Sequence, residues 1–319
     1  MHRIRTISVA LALALLSLSA RAATSDTVRR TFNVQPGGTL TIDADVGDIT
    51  VRAAGSSQVS VEVARSGRAA DIHDYEITFS QEGNDVRVRG TYEHKWRMFD
   101  WNDLKARYTV TVPSTYNVHL GTSGGDIHVS DLHGEAICKT SGGNLDLGNI
   151  QGNVDARTSG GDVKLASANG KVELKTSGGD IKAGNVNGPL TVRTSGGSIE
   201  LQRVSGDLVA HTSGGGIVAG DVFGSIDASS SGGSIRASLA RQPRGDSKLS
   251  TSGGSITLSV AGNVAIDLDA HTSGGDVTTD MPVTILGHQS DSSLNGKMNG
   301  GGPKLVLRSS GGDIKVRKM

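Results

Sequence analysis

Large aromatic side chains are scarce in this sequence: Phe, Trp and Tyr together make up 3% of its 319 residues. This scarcity argues against a conventional globular core built on large rings. Hydrophobic residues amount to 35% of the chain and are mostly Val, Ile, Leu and Ala. Those side chains stack well in thin, repetitive β-structures, so the composition favours an all-β protein.

The chain also lacks an excess of charge of either sign, because 32 Lys and Arg residues balance 32 Asp and Glu residues. A nucleic-acid partner is not expected, since neutralising phosphates needs a basic excess. The single cysteine, Cys138, excludes an intramolecular disulfide. We predict that it is a small, buried, apolar residue.

The N-terminal segment 1–22 has the pattern of a signal peptide. Arg3 and Arg5 form a basic start, an apolar run covers residues 7–18, and Ala20 and Ala22 are the small residues of a cleavage site. The apolar run is short for a membrane span, and no second long apolar stretch follows. We predict export to the periplasm, the exterior or the cell surface, with cleavage after Ala22 and no integral membrane span in the mature chain.

Glycine is abundant, with 45 residues, and many of these belong to a repeat that opens with Thr-Ser-Gly-Gly or Ser-Ser-Gly-Gly. Ten copies start at Thr122, Thr140, Thr158, Thr176, Thr194, Thr212, Ser230, Thr251, Thr272 and Ser309. The first seven starts keep one constant period, the next two intervals are slightly longer, and the interval before Ser309 is the longest. A fixed period of this kind indicates a solenoid in which each repeat forms one coil.

Each repeat carries two short runs in which apolar residues alternate with polar ones, such as Val163-x-Leu165 and Val172-x-Leu174. A spacing of two predicts two strands per coil, each with an apolar inner face. The glycines are predicted to form turns by adopting backbone conformations that other residues resist. The Thr hydroxyls are expected to bond neighbouring turn backbone. The prediction is a single-domain β-solenoid with 18-residue coils, right-handed by the general bias of parallel crossovers.

These repeats resemble a known family. The Ser-Gly-Gly-Asp-Ile units, residues 108–113, and the Asn-Gly-Gly-Gly-Pro sequence at 299–303 are similar to DUF4097, a family of exported bacterial β-strand-repeat proteins that carries an adhesin label. Residues 46–51 fit the same unit with one glycine lost. The resemblance implies the same β-repeat fold over nearly all of the mature chain and an adhesin-like role. It brings no catalytic residues.

Residues 23–121 are strand-rich but lack the strict repeat. Alternation predicts strands at residues 39–42, 59–63, 75–79, 86–89 and 108–112. We predict irregular coils or a β-cap continuous with the rod, because an open solenoid end exposes strands and apolar residues. The regular solenoid is then expected over residues 122–319, interrupted by a flexible loop at 281–303.

An insertion at residues 91–107 departs from the rest of the chain because it is rich in aromatic and charged residues. Its candidate binding residues are Tyr92, Trp96, Phe99 and Trp101. A projecting loop of this composition could stack on a sugar ring or grip a partner. The other interpretation is that the rings pack down and plug the side or end of the solenoid.

The last position of the repeat is basic in five consecutive copies, namely Lys139, Arg157, Lys175, Arg193 and His211. Such a row could bind an anionic glycan. However, Asp155 and Glu173 precede Arg157 and Lys175 by two positions and are expected on the same face. We therefore interpret the row as part of a solvated, charge-mixed surface that discourages aggregation.

Metal and cofactor sites are not predicted. Asp follows the glycine pair at Asp126, Asp162, Asp180, Asp276 and Asp313, but other residues replace it in the remaining copies. A calcium ladder would need acidic ligands in adjacent coils, and the histidines show no recurring ligand spacing. A calcium-stabilised solenoid is kept as an alternative.

The repeated serines have no paired His and carboxylate of the kind that activates a nucleophile. Near the insertion, Glu93, Asp100 and Asp103 form the one acidic cluster, and it does not resemble a glycosidase site. We predict a non-enzymatic, exported β-solenoid that acts as a structural or adhesin-like surface for a cell-envelope or extracellular protein or glycan. The alternative is a carbohydrate-binding or glycan-active protein that uses the insertion at 91–107.

Overall fold

The computed structural model describes residues 24–93, 104–287 and 290–319. The predicted signal peptide and most of the aromatic insertion lie outside these ranges. No helix in the described part of the chain is long and apolar enough to cross a membrane, and the helix that it contains is a single short one.

The N-terminal region is strand-rich, and each of the five strands expected there is present. Its elements are β1 (Thr24–Asn33), β2 (Thr39–Ala44), β3 (Asp48–Ala54), β4 (Gln58–Gly67), α1 (Ala69–His73), β5 (Tyr75–Glu82), β6 (Asp85–Tyr92) and β7 (Lys105–Pro113).

The repeats that follow contribute two short strands each. These are β8 (Asn117–Thr122), β9 (Ile127–Val129), β10 (Ala136–Lys139), β11 (Leu145–Ile150), β12 (Val154–Arg157), β13 (Val163–Ala168), β14 (Val172–Lys175), β15 (Ile181–Val186), β16 (Leu190–Arg193), β17 (Ile199–Val204), β18 (Leu208–Thr212), β19 (Ile217–Val222), β20 (Ile226–Ser230), β21 (Ile235–Leu239), β22 (Ser247–Thr251) and β23 (Ile256–Val260). The C-terminal region adds β24 (Ile266–Thr272), β25 (Val277–Thr279), β26 (Thr284–Ile285), β27 (Ser293–Met298), β28 (Lys304–Ser309) and β29 (Ile314–Lys318).

The described strands form two long sheets, one of 14 strands and one of 15, and twelve strands of each sheet stack in parallel. One strand from each sheet makes a coil. Within the array each residue pairs with its equivalent in the next repeat, as Val163 does with Ile181 and Val172 with Leu190. This register confirms the predicted all-β solenoid and its coil length. At a strand spacing of about 4.8 Å, twelve coils make a rod about 55 Å long.

The core is the narrow space between the two sheets. Val163, Leu165, Val172 and Leu174 all point into it and are at most 3% exposed. Cys138 belongs to the same set at 0% exposure, which confirms its predicted role. Burial raises the pKa of its thiol to about 12, so the thiol is neutral and inert at physiological pH.

The glycines of the repeat are needed for a different reason from the one predicted. Within the described residues, the second glycine of every Gly-Gly pair that opens a repeat has its φ outside the left-handed region. Instead, a Cβ on Gly143 would lie 2.1 Å from the carbonyl oxygen of Gly125 in the preceding coil, and one on Gly179 would lie 2.2 Å from that of Gly161. Close approach of stacked turns therefore excludes side chains at this position.

Both ends of the rod depart from simple stacking. The N-terminal end coil is β6–β7, and β2–β3, which comes earlier in the chain, lies one coil further in. At this end β4 pairs antiparallel with β7, β1 with β4, and β5 with β6. The edges of the end coil are thus covered by antiparallel strands.

The segment at 281–303 is not the flexible loop that its Gly and Ser content predicted. It contains β26 and β27, and β27 pairs antiparallel with β24 at the C-terminal end of the rod. Leu294 and Met298 lie on the inner face of β27 and are at most 3% exposed, so they cover the end of the core. The polar residues between them concealed this strand pattern.

Candidate functional surface

The hydroxyl groups of the repeat are committed to structure. Thr158 donates from Oγ1 to the carbonyl oxygen of Gly143 at 2.8 Å and accepts from the backbone N–H of Gly161 at 3.4 Å. The same pair of contacts recurs at Thr176, where the distances are 2.8 and 3.3 Å. Both side chains belong to residues that are 6% exposed. A hydroxyl held in this way links two coils and is not available as a nucleophile.

The Asp and Asn residues after the glycine pair form a second ladder, which the repeat pattern did not predict. The side-chain oxygen of Asp126 accepts the backbone N–H of Asn144 at 2.7 Å, and Asn144 in turn accepts that of Asp162 at 2.9 Å. Asp162 and Asp180 continue the pattern. Short polar acceptors at this position could have suggested it. No group of three or more His, Cys, Asp or Glu residues suited to a metal occurs in the ranges that the structure covers.

The outer face of the 15-stranded sheet carries the basic row predicted from the sequence. We use "basic row" for Lys139, Arg157, Lys175, Arg193 and His211, which pair coil to coil as direct neighbours. The row is therefore straight, with one cation-capable side chain in each coil.

Two members of the basic row are neutralised and two are not. Asp155 accepts a hydrogen bond from Arg157 at 2.6 Å, and this contact raises the pKa of Arg157. Glu173 pairs with Lys175, whose hydrogen bond lowers the pKa of Glu173. By contrast, Lys139 and Arg193 are exposed and have no ion pair within the described residues. The face thus has a mixed centre flanked by free cations.

His211, the last member of the row, differs from the others in its protonation. Burial is the main reason that its pKa is lowered, and the nearby Arg193 acts in the same direction. Its imidazole contacts the hydroxyl of Ser229 in the next coil. At neutral pH it is therefore an uncharged hydrogen-bonding group, so the charge of the row comes from its Lys and Arg members.

The outer face of the 14-stranded sheet carries several pairs in which a carboxylate of one coil lies beside a basic side chain of a neighbouring coil. His128 lies 3.3 Å from Asp146, Lys182 lies 2.9 Å from Glu200, and Arg203 lies 3.1 Å from Asp221. Exposed pairs of this type contribute little stability each.

One aromatic ring interrupts the polar column at a turn of the array. Phe223 stands where the preceding coils have Ser205 and Asn187, and it is half-buried. The guanidinium carbons of Arg203 and Arg241 each lie 5.6 Å from its ring centre. These cation–π contacts hold together three consecutive coils at the place where the repeat first lengthens.

The candidate binding residue Tyr92 lies inside the N-terminal end of the rod. It is 7% exposed and packs edge-on against Tyr75, with ring centres 5.0 Å apart. Burial raises its pKa to about 12. Trp96, Phe99 and Trp101 lie outside the described residues, so the proposed role of the segment as a whole stays a prediction.

The tyrosine cluster beneath this segment is tightly built. The hydroxyls of Tyr75 and Tyr108 are 2.7 Å apart, and the hydroxyl of Tyr75 also bonds to the carbonyl of Val46. A Cβ on Gly90 would lie 1.9 Å from the Tyr108 hydroxyl, so glycine is required there. These aromatic rings therefore close the end of the core.

A cleft of about 560 Å³ opens beside the cluster, between β1 and β5. Its wall includes Arg65, which bonds to the carbonyls of Ile72 and Tyr75 and forms an ion pair with Asp26. The charge of Arg65 is thus already balanced within the fold, and the cleft has no free cation from this residue.

Comparison with known proteins places these features in a family. The family model described as Toastrack DUF4097 matches residues 38–317. A "putative adhesin" from Bacteroides fragilis is 14% identical over 92% of this chain and 97% of its own, with a TM-score of 0.36. A "putative lipid binding protein" from Parabacteroides distasonis is 14% identical over 91% and 96%, with a TM-score of 0.38. A "putative adhesin" from the same organism is 12% identical over 92% and 97%, with a TM-score of 0.34. No curated protein matches the chain.

Proposed function

The chain belongs to the Toastrack DUF4097 family, and from that premise we propose that it is an exported, non-enzymatic β-solenoid with an adhesin-like role. Its rod presents a surface to a protein or glycan of the cell envelope or the extracellular space. The observation that carries the proposal is the straight basic row on the outer face of the 15-stranded sheet.

The contact surface is the part of this face around the free cations of the row. Lys139 and Arg193 are three coils apart, which is about 14 Å at the spacing of parallel strands. Such a row favours an extended anionic partner that contacts several coils at once. Each contact is weak in water, and several acting together supply the affinity.

The non-enzymatic part of the proposal is supported by the contacts of the potential nucleophiles. The repeated hydroxyls, such as that of Thr158, bond two glycine turns. The thiol of Cys138 is fully buried, with its pKa raised to about 12. These groups serve the fold rather than a reaction.

A co-sedimentation assay with isolated cell envelopes tests the proposal. The mature protein is expected to bind saturably, and a Lys139→Ser, Arg193→Ser variant is expected to lose most of that binding. The matched control is Lys164→Ser, Arg236→Ser, which removes the same charge from the outer face of the other sheet. Equal binding by both variants would contradict the assigned face.

The alternative role for residues 91–107 has a separate readout. If Trp96→Ala, Trp101→Ala alone abolishes binding, and a soluble glycan shifts tryptophan fluorescence of the parent protein, the protein is a glycan binder through that segment. Turnover of a polysaccharide that is lost in Glu93→Gln or Asp100→Asn would refute the non-enzymatic proposal.

Export is tested independently of binding. We expect the protein in the periplasmic, surface or culture fraction, with Ala23 as its first residue by mass spectrometry. An uncleaved cytoplasmic chain would contradict export without affecting the in vitro binding result.

A further inference from the structure

The order of coils along the rod differs from their order in the chain at the C-terminal end. Strand β28 lies between β22 and β24, and β29 lies between β23 and β25. The chain therefore forms β22–β23, leaves one coil position empty, and forms β24–β25 followed by the end hairpin, which is β26 and β27. It then returns to fill the gap. We call residues 304–318 the inserted coil and the gap that holds it the slot.

The inserted coil is paired on both sides, with both of its strands hydrogen-bonded to the strands of the two flanking coils. Leu305, Leu307, Ile314 and Val316 are at most 1% exposed. The hydroxyl ladder passes through it: Ser309 donates to the carbonyl of Gly254 at 2.8 Å, while Thr272 on the far side donates to Gly312 at 2.7 Å. The slot thus holds two strands of alternating pattern through backbone pairing, buried apolar side chains and the hydroxyl ladder.

Charged contacts fix which segment fits the slot and in which register. Arg308 donates to the carboxylate of Asp269 at 2.8 Å and to its backbone carbonyl at 2.7 Å. Lys304 approaches the same carboxylate at 3.4 Å, and its backbone N–H bonds to Asp246 at 2.8 Å. A strand shifted by one residue would lose these contacts and bury its polar face.

A short linker, residues 299–303, connects the inserted coil to the end hairpin and must cross over β24. Asn299 is the one non-glycine residue of the described chain with left-handed backbone, with φ of 49°. Gly300 and Gly301 follow with φ of 90° each. The amide of Asn299 anchors the crossing by bonding to the carbonyls of Gly262 and Val264. Three consecutive residues with positive φ make this a tight turn.

We infer that the slot is a peptide-binding site for residues 304–318 and that a second copy of this chain can fill it through opening of the linker. Every contact described above is the same whether the inserted coil comes from its own chain or from another. The choice depends on the linker conformation and on protein concentration. Reciprocal exchange of this kind would join two rods at their C-terminal ends.

Linker length gives the first test, carried out on the full chain. Deleting residues 299–302 leaves Pro303 alone between β27 and β28, and two Cα steps reach at most about 7.6 Å. The strands to be joined lie two spacings apart, about 9.6 Å. The deletion is therefore expected to give folded dimers by light scattering. A control linker lengthened with a short Gly-Ser stretch should be monomeric. A folded monomer from the deletion variant would overturn the inference.

A second test does not depend on the deletion variant folding. A protease site placed in the lengthened linker is cut after folding, and the nicked rod is incubated with a fluorescent peptide of residues 304–319. The peptide should enter the rod, an Arg308→Ala peptide should bind about threefold to fivefold more weakly, and a Leu305→Asp, Leu307→Asp peptide should not enter. A nicked rod that takes up all three equally, or none, would overturn the proposed site.

Discussion

The middle and the two ends of the rod obey different rules. In the middle, from β8 to β23, each coil after the first stacks on the coil that precedes it in the chain, and equivalent positions of successive repeats pair with few exceptions. At each end a coil is placed out of order, so that β2–β3 and β28–β29 both lie one position in from the end. Antiparallel strands then cover the N-terminal end coil on both sheets and the C-terminal end coil on the 15-stranded sheet.

The difference shows what stabilises each region. The middle depends on identical contacts repeated between neighbours, so its stability is close to a sum over coils. The ends depend on segments distant in sequence, and they close strand edges that would otherwise pair with other chains. Substitutions in the middle should therefore change stability by disturbing the stacking of turns. Substitutions at the ends should change how firmly one end segment is bound to the rod.

The largest expected effect comes from a single methyl group in the middle. Gly143→Ala places a Cβ 2.1 Å from the Gly125 carbonyl oxygen and should destabilise the rod by about 3 kcal/mol, because stacked backbones must separate. The control is Gly124→Ala, where the Cβ meets nothing within 4 Å. Thermal unfolding of both variants measures the difference. Equal melting temperatures would show that close stacking is not the reason for the glycine.

A smaller effect is expected from removing one rung of the hydroxyl ladder. Thr176→Val keeps the shape of the side chain but leaves the Gly161 carbonyl and the Gly179 N–H without this partner, at a cost of about 2 kcal/mol. Thr176→Ser should be nearly neutral, since serine fills the equivalent position at Ser230. Chemical denaturation distinguishes the two variants. If the Val variant unfolds with the same free energy as the parent protein, the hydroxyl ladder does not stabilise the rod.

The smallest effect is expected from the ion pair between Arg308 and Asp269 at the C-terminal end of the rod, and it depends on pH. The hydrogen bond from Arg308 is the main reason that the pKa of Asp269 is lowered from 3.8. The stabilisation is therefore present at neutral pH and is lost as the pH falls below about 4 towards the pKa of the folded state. Because the pair is partly exposed, it contributes less than about 1 kcal/mol.

Hydrogen exchange can separate this end effect from the middle. Asp269→Asn should speed exchange of the amides in residues 304–318 at pH 7 and leave those in β13 unchanged. Glu173→Gln, which removes a similar pair in the middle, should not affect the inserted coil. If both variants loosen the same amides, the two regions do not respond independently.

Sequence periodicity was sufficient to predict the coils in the middle of the rod, but it did not predict the order of the coils at its ends. The alternation of Val163-x-Leu165 predicted both the strand and its buried face, because local spacing decides which side a residue faces. Leu305-x-Leu307 has the same pattern, so nothing local reveals that its neighbours are β22 and β24. The long interval before Ser309 was the one signal of a departure.

The candidate surface was predictable in part for the same reason. The basic row follows from the repeat, since equal positions in successive coils become neighbours. That Lys139 and Arg193 have no ion pair could not be predicted, because it depends on where the carboxylates lie in the folded chain. The burial of Tyr92 depended on Tyr75, its partner on an adjacent antiparallel strand, which no periodic pattern connects to it.

Disulfide trapping tests the non-sequential order of coils most directly. In a Cys138→Ala background, Lys248→Cys with Val306→Cys joins directly paired positions of β22 and β28. Lys248→Cys with Asp269→Cys joins positions two coils apart, about 9.6 Å, which exceeds the reach of a disulfide. We expect rapid oxidation of the first pair and none of the second. A disulfide in the second pair but not the first would mean that the coils stack in chain order, which would contradict the account.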